Sequence, residues 1–180
     1  MIFDIEPFKL LLAFTSAYSI LEPFVALMNY ILYIRFGMKS MFQLYPKANP
    51  FLIVMAEYIY LCIILVKTMY IYKYVMKKDR YYPEKGDYEN YGDFLLCFIS
   101  ILVVMDVLWT ITINIITTKI PFLAFLNNYS RELGFYSLIR PIILGLSLLV
   151  ISYYVLYYMK DLEAIAFILF AIFTITIASF

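Results

Sequence analysis

Between Phe94 and Thr117 the chain carries one charge, Asp106, set between Val103-Val104-Met105 and Val107-Leu108-Trp109. A run of this kind matches the roughly 20 apolar residues an α-helix needs to cross a hydrocarbon core about 30 Å thick. In hydrocarbon every backbone N–H and C=O must be satisfied internally, so a helix is the spanning form open to it. Four further runs share this character. Together they predict an all-α, polytopic helical membrane protein with about five transmembrane helices, over about 8–34, 51–75, 94–117, 141–158 and 164–180. They form a single transmembrane helical domain, residues 1–180, with an interfacial or re-entrant segment at 120–140. The expected location is the cell membrane, as a multi-pass protein.

Composition decides between a membrane chain and a soluble domain with a large core. The sequence is 65% hydrophobic and 15% charged, where soluble domains run at about 45–50% and about 25%. A net charge of +1 offers no basic surface for nucleic acid. The chain has no histidine, which removes histidine-ligated haem, histidine general bases and the usual histidine-containing zinc sites. Cys62 and Cys97 both fall inside apolar runs and read as small buried hydrophobes. The opening MIFDIEPFKLLLAF lacks signal-peptide features: Asp4 and Glu6 precede Lys9, and no small-residue cleavage site follows. It reads as the start of the first spanning helix.

Prolines and short polar stretches punctuate the runs. Pro23 lies inside the first predicted helix and offers a kink. The second begins after Pro50, the fourth near Pro141, and Met159-Lys160-Asp161-Leu162-Glu163 closes a tight hairpin between the last two. Residues 35–50 mix Met41, Phe42, Leu44 and Tyr45 with Lys39 and Lys47, which suits the membrane interface. Ile120 to Pro141 has the same mixture but too short an apolar core to span. Lys77 to Asp93 is the longest polar stretch, and its acidic second half reads as a solvated face. Tyrosines gather at predicted helix ends: Tyr70, Tyr72, Tyr74, Tyr81 and Tyr82, then Tyr153, Tyr154, Tyr157 and Tyr158. That is the aromatic belt of a membrane interface. Positive residues are nearly balanced between the two sides. The cluster Lys73, Lys77, Lys78 and Arg80 tips the N-terminus to the inside.

Ionisable residues at membrane depth are costly and mark functional sites by default. Helical periodicity puts Thr15, Glu22 and Asn29 on one face of the first helix, with Pro23 freeing the carbonyl of Ser19. Glu57, Tyr60 and Lys67 fall within about 80° on the second. Asp106, Thr110 and Thr117 fall within about 40° on the third, with Asn114 at the edge. The candidate intramembrane polar or ion-coupling site is therefore Glu22, Pro23, Asn29, Glu57, Lys67, Asp106 and Asn114. Glu57 and Lys67 stand about 15 Å apart along their helix, so each needs a partner elsewhere. Lys67 with Asp106 is the expected pair, with Lys67 alternatively snorkelling toward Lys73. Arg140 and Arg35 read as helix-end anchors in the phosphate layer.

No P-loop, dinucleotide fingerprint or nucleophile elbow occurs, and no diphosphate-binding acidic cluster. No catalytic residue, metal site or cofactor is implied. Two functions remain. One is a helical subunit or scaffold that packs against partner membrane proteins or itself, with no catalysis of its own. The other is a small oligomeric proton- or ion-coupled transporter using its intramembrane carboxylates. The bilayer is a partner in both. Convergence of Glu22, Glu57 and Asp106 on one water-accessible cavity favours the second, and separate exterior surfaces for the three favour the first.

Overall fold

The computed structural model describes the backbone of residues 6–36, 50–116 and 136–178, and side chains over 6–25, 55, 57–112, 139–170 and 172. Five long helices result: α1 Glu6–Phe36, α2 Pro50–Tyr70, α3 Tyr88–Ile116, α4 Tyr136–Tyr158 and α5 Asp161–Ala178. α2 continues into one wider π-helical turn, Ile71–Val75. Among the described residues, Glu6–Val25, Glu57–Val75, Tyr88–Thr112 and Ile139–Tyr158 are long and apolar enough to cross a membrane. The chain is an all-α, multi-pass integral membrane protein.

Two helices start earlier than the apolar pattern suggests. α3 begins at Tyr88 rather than Phe94, because Asp87 caps it: its Oδ1 accepts the Asn90 N–H at 3.2 Å, at the N3 position where such caps act. This draws Glu89, Asn90 and Asp93 onto a helix that extends beyond the apolar run. α4 begins at Tyr136, so Pro141 lies inside it and Arg140 belongs to a helix rather than to a loop end. The portion of the expected interfacial or re-entrant segment before Tyr136 lies outside the described residues.

α1 packs against α4 and α5, α3 against α4 and α2, and α1 touches α2 more lightly. In lipid the drive for such packing is close fit rather than escape from water, and small residues permit it. Ala13, Ala17 and Ala164 are buried where α1 meets its neighbours, and Ser16 Oγ, which also bonds Leu12 O in its own helix, lies 3.0 Å from the carbonyl of Ala164 on α5. A Cβ added to Gly145 would stand 3.0 Å from Phe98 and 3.1 Å from Leu102, so this glycine sets how closely α4 approaches α3. The buried hydroxyls of Thr68 and Ser152 are satisfied within their own helices, by the carbonyls of Ile64 and Leu148.

One end of the bundle is closed by the α2–α3 loop and the α4–α5 hairpin. The loop turns at Lys77, which adopts the left-handed conformation at φ 56°, and at Gly86, φ 86°. It is pinned to the helices. Arg80 bridges Glu6 at 3.3 Å and Glu84 at 2.8 Å. The Gly86 N–H donates to Tyr153 Oη at 2.8 Å, and Tyr157 Oη donates to the carbonyl of Pro83. Lys78 reaches Asn90 and Asp93. The acidic half of this stretch is thus partly committed to capping and ion pairs, not only to solvation. The two Asn90 contacts hold the Asp87 carboxyl below its ordinary range, side-chain bond first. Burial pushes the Tyr82 phenol up, and the nearby Glu6 charge adds to it. Lys160 and Glu163 start α5 with half a capping box: the Lys160 N–H donates to Glu163 Oε2 at 3.0 Å.

Candidate functional site

The closed end supplies a common origin for measuring depth. At about 1.5 Å per residue, Glu22 stands about 24 Å along α1 from Glu6. On the same rise Glu57, Asp106 and Arg140 each stand about 27 Å from Val75, Tyr88 and Tyr158 on their own helices. Four ionisable groups from four helices therefore lie in one layer. That layer sits toward the far side of a core about 30 Å thick. Beneath it, at about 12–17 Å from the closed end, Phe14, Ile64, Leu65, Phe98 and Leu148 are fully buried and contain no polar atom. The layer is separated from the closed end by a mostly apolar plug, whose one fully buried hydroxyl at this depth among the described residues, Ser16, is held by helix carbonyls.

Within the layer, Arg140 is the central cation. Its guanidinium lies 3.2 Å from one Glu57 oxygen and 3.5 Å from the other. The side chains are 18% and 26% exposed, so the pair is largely withdrawn from solvent. Arg140 is also within electrostatic reach of Glu22 and of Asp106, and Glu57 is within reach of the same two. Asp106 Oδ1 accepts the Tyr60 hydroxyl at 2.6 Å, a length typical of a charge-assisted bond. Glu22 is hydrogen-bonded to Tyr18 one turn below it, and its Oε2 is buried with no hydrogen-bond partner among the described residues. Below these, Thr15 and Tyr58 share a hydrogen bond at 2.7 Å, and the Tyr18 and Tyr58 rings meet at 5.4 Å. Phenols thus flank the acids on both α1 and α2.

Of the sequence-derived candidates, Glu22, Glu57 and Asp106 are brought together. Pro23 lies beside Glu22, exposed and within α1, which continues past it. Asn29 and Asn114 lie on α1 and α3, but their side chains are outside the described residues. Lys67 stands apart. The expected Lys67–Asp106 pair is not made: Lys67 is exposed and its Nζ lies 3.7 Å from Met105 Sδ. Nor does it snorkel toward Lys73. Side chains lean toward the N-terminus of their helix, and the N-terminus of α2 is the end away from Lys73. Lys67 is therefore directed inward along the membrane.

Arg140 was missed as a site residue. Its proximity to Pro141 suggests a helix end at the phosphate layer, whereas the helix starts at Tyr136 and carries the guanidinium into the bundle. No signal in the sequence sets it apart from Lys67, a cation that also falls within an apolar run.

Among the described residues no group of acids and cysteines has the arrangement to hold a metal ion. Comparison of the chain with protein-family models, with curated proteins and with solved structures finds no match.

Proposed function

We propose that this chain is a small membrane transporter coupled to protons or monovalent cations, with the Glu22–Glu57–Asp106–Arg140 layer as its coupling site. One observation carries the reading: three carboxylates from three helices share one guanidinium. With all four ionised, the described residues of the layer hold an excess of two negative charges. Uncompensated charge in a low-dielectric interior costs several kcal/mol or more per ion, so two further positive charges belong to the working site. Protons and monovalent cations are the carriers the chemistry fits. Tyr18 and Tyr60 supply oxygens beside Glu22 and Asp106, and can pass or hold a proton. The plug of Phe14, Phe98 and Leu148 lies between the site and the closed end, where an alternating pathway would need a barrier. Glu22 adjoins Pro23, whose missing N–H leaves the Ser19 carbonyl without its helical donor. That makes this part of α1 a hinge candidate.

The test is proton flux into sealed liposomes carrying an interior pH dye, with an imposed membrane potential. Potential-driven flux in the wild type, abolished by Glu22→Gln or Asp106→Asn, supports coupling through the layer. Flux no higher than in empty liposomes, across sodium and potassium gradients as well, overturns it. That outcome favours the second reading, a helical subunit held against another membrane protein. The exposed ammonium of Lys67 at membrane depth is the observation on its side, since such a group is normally covered by protein.

A further inference from the structure

We propose that the end of α2 carries a binding site for the phosphate of an anionic phospholipid, built on Lys73, Lys77 and the Tyr74–Tyr81 phenol pair. Position is the first argument. The apolar span Glu57–Val75 ends here, so these groups stand where the headgroups of a membrane begin. α2 closes in its π-helical turn, Ile71–Val75, and the chain reverses at Lys77, φ 56°. The reversal brings Tyr81 back onto the turn. The Lys73 ammonium lies 3.8 Å from the centre of the Tyr81 ring, and the hydroxyls of Tyr74 and Tyr81 are 3.2 Å apart. Two contacts thus gather Lys73, Tyr74 and Tyr81 at one place, with Lys77 exposed just past the turn.

Charge selects the ligand. At this end Lys78 is paired with Asp93, and Arg80 with Glu6 and Glu84. Lys73 and Lys77 make no ion pair with a carboxylate among the described residues, Asp79 included. A ring face attracts an ammonium but accepts none of its N–H bonds in full, so Lys73 keeps donors for an anion. Tyr74 and Tyr81 share one hydrogen bond, which leaves one phenol proton to give. These donors fit an acceptor-only anion such as a phosphate. The surface beside them is apolar: Tyr70, Val75 and Met76 are exposed. An anionic head with an apolar tail satisfies both features, whereas a free phosphate satisfies only the first. The site lies across the plug from the carboxylates and does not depend on the transport reading.

The experiment is native mass spectrometry of the full chain, released from mixed micelles of phosphatidylglycerol and phosphatidylcholine with equal acyl chains. The wild type should retain phosphatidylglycerol over phosphatidylcholine by roughly tenfold or more, the effect of two lysines at a membrane surface. The preference should fall to near parity in Lys73→Gln with Lys77→Gln. It should survive in Lys73→Arg with Lys77→Arg, which keeps charge and donors. It should also survive in Lys85→Gln, a cation of the same end that rests 4.1 Å from the centre of the Tyr158 ring. If the double glutamine variant does not fold, Lys77→Gln alone decides, with a loss of several-fold expected. No preference in the wild type overturns the site, as does one unchanged in the glutamine variants. A loss as large in K85Q overturns it too, by showing bulk charge attraction only. Release of the lipid by inorganic phosphate at millimolar concentration overturns the choice of a lipid over a free anion.

Discussion

Replacing Arg140 with methionine keeps most of the side-chain volume and removes the cation of the carboxylate layer. Glu57 then loses a partner at 3.2 Å, and Glu22 and Asp106 lose the only positive charge described within their electrostatic reach. Breaking a fully buried pair in this way costs about 3–5 kcal/mol. With the partners 18% and 26% exposed, about 2–4 kcal/mol is the expected loss. At about 2–4 °C per kcal/mol for a chain of this size, the melting temperature should fall by roughly 4–16 °C.

Glu57→Gln should cost less. Arg140 then still has Glu22 and Asp106 within reach, and the repulsions of Glu57 with these two acids are gone. The double variant Arg140→Met with Glu57→Gln should recover part of the loss, with a coupling of about 1–3 kcal/mol. The assay is thermal unfolding of the four proteins in lipid nanodiscs at pH 7, followed by Trp109 fluorescence. If E57Q is as destabilising as R140M, or the two losses simply add, the charge-layer argument is wrong and the pair is incidental.

Gly145→Ala should lower stability by about 1–3 kcal/mol through overpacking, since its Cβ would meet Phe98 at 3.0 Å and Leu102 at 3.1 Å; the same unfolding assay reads it. Tyr60→Phe removes the donor to Asp106 and should cost about 1.5–3 kcal/mol, while shifting the pH dependence of any flux, read in the liposome assay. Asp87 has its carboxyl held low by Asn90. Its contribution is therefore present above the ordinary carboxylate range, about 3.9, and is lost as pH falls through the lowered value. The protection of the Asn90 and Tyr91 amides, measured against the intrinsic exchange rate at each pH, should fall on acidification below about pH 4, and in Asp87→Ala it should already be low at neutral pH. An Asn90 amide as protected in the alanine variant as in the wild type would count against the cap.

The helices and the membrane class were legible because both follow from one-dimensional quantities. Run length against bilayer thickness identifies the spans, and isolated charge within a run picks out Glu22, Glu57 and Asp106. Periodicity placed Tyr60 beside Glu57, since neighbours on one helix face are fixed by sequence spacing. Partners on different helices are not. Asp106 carries no compensating charge nearby in sequence, and nothing in the spacing chooses between Lys67 and Arg140.

That choice depends on helix direction and start. α2 runs down toward the closed end, so Lys67 leans away from Lys73 and rests on Met105. α4 begins a turn before Arg140, so the arginine enters the bundle rather than the phosphate layer. By itself the sequence determined that this chain crosses a membrane as helices and which acids are buried there. Only the tertiary structure decided that those acids share one arginine at one depth, above an apolar plug. The physical reason is that burial is set by each helix's own hydropathy, whereas charge pairing is set by how antiparallel helices align their heights.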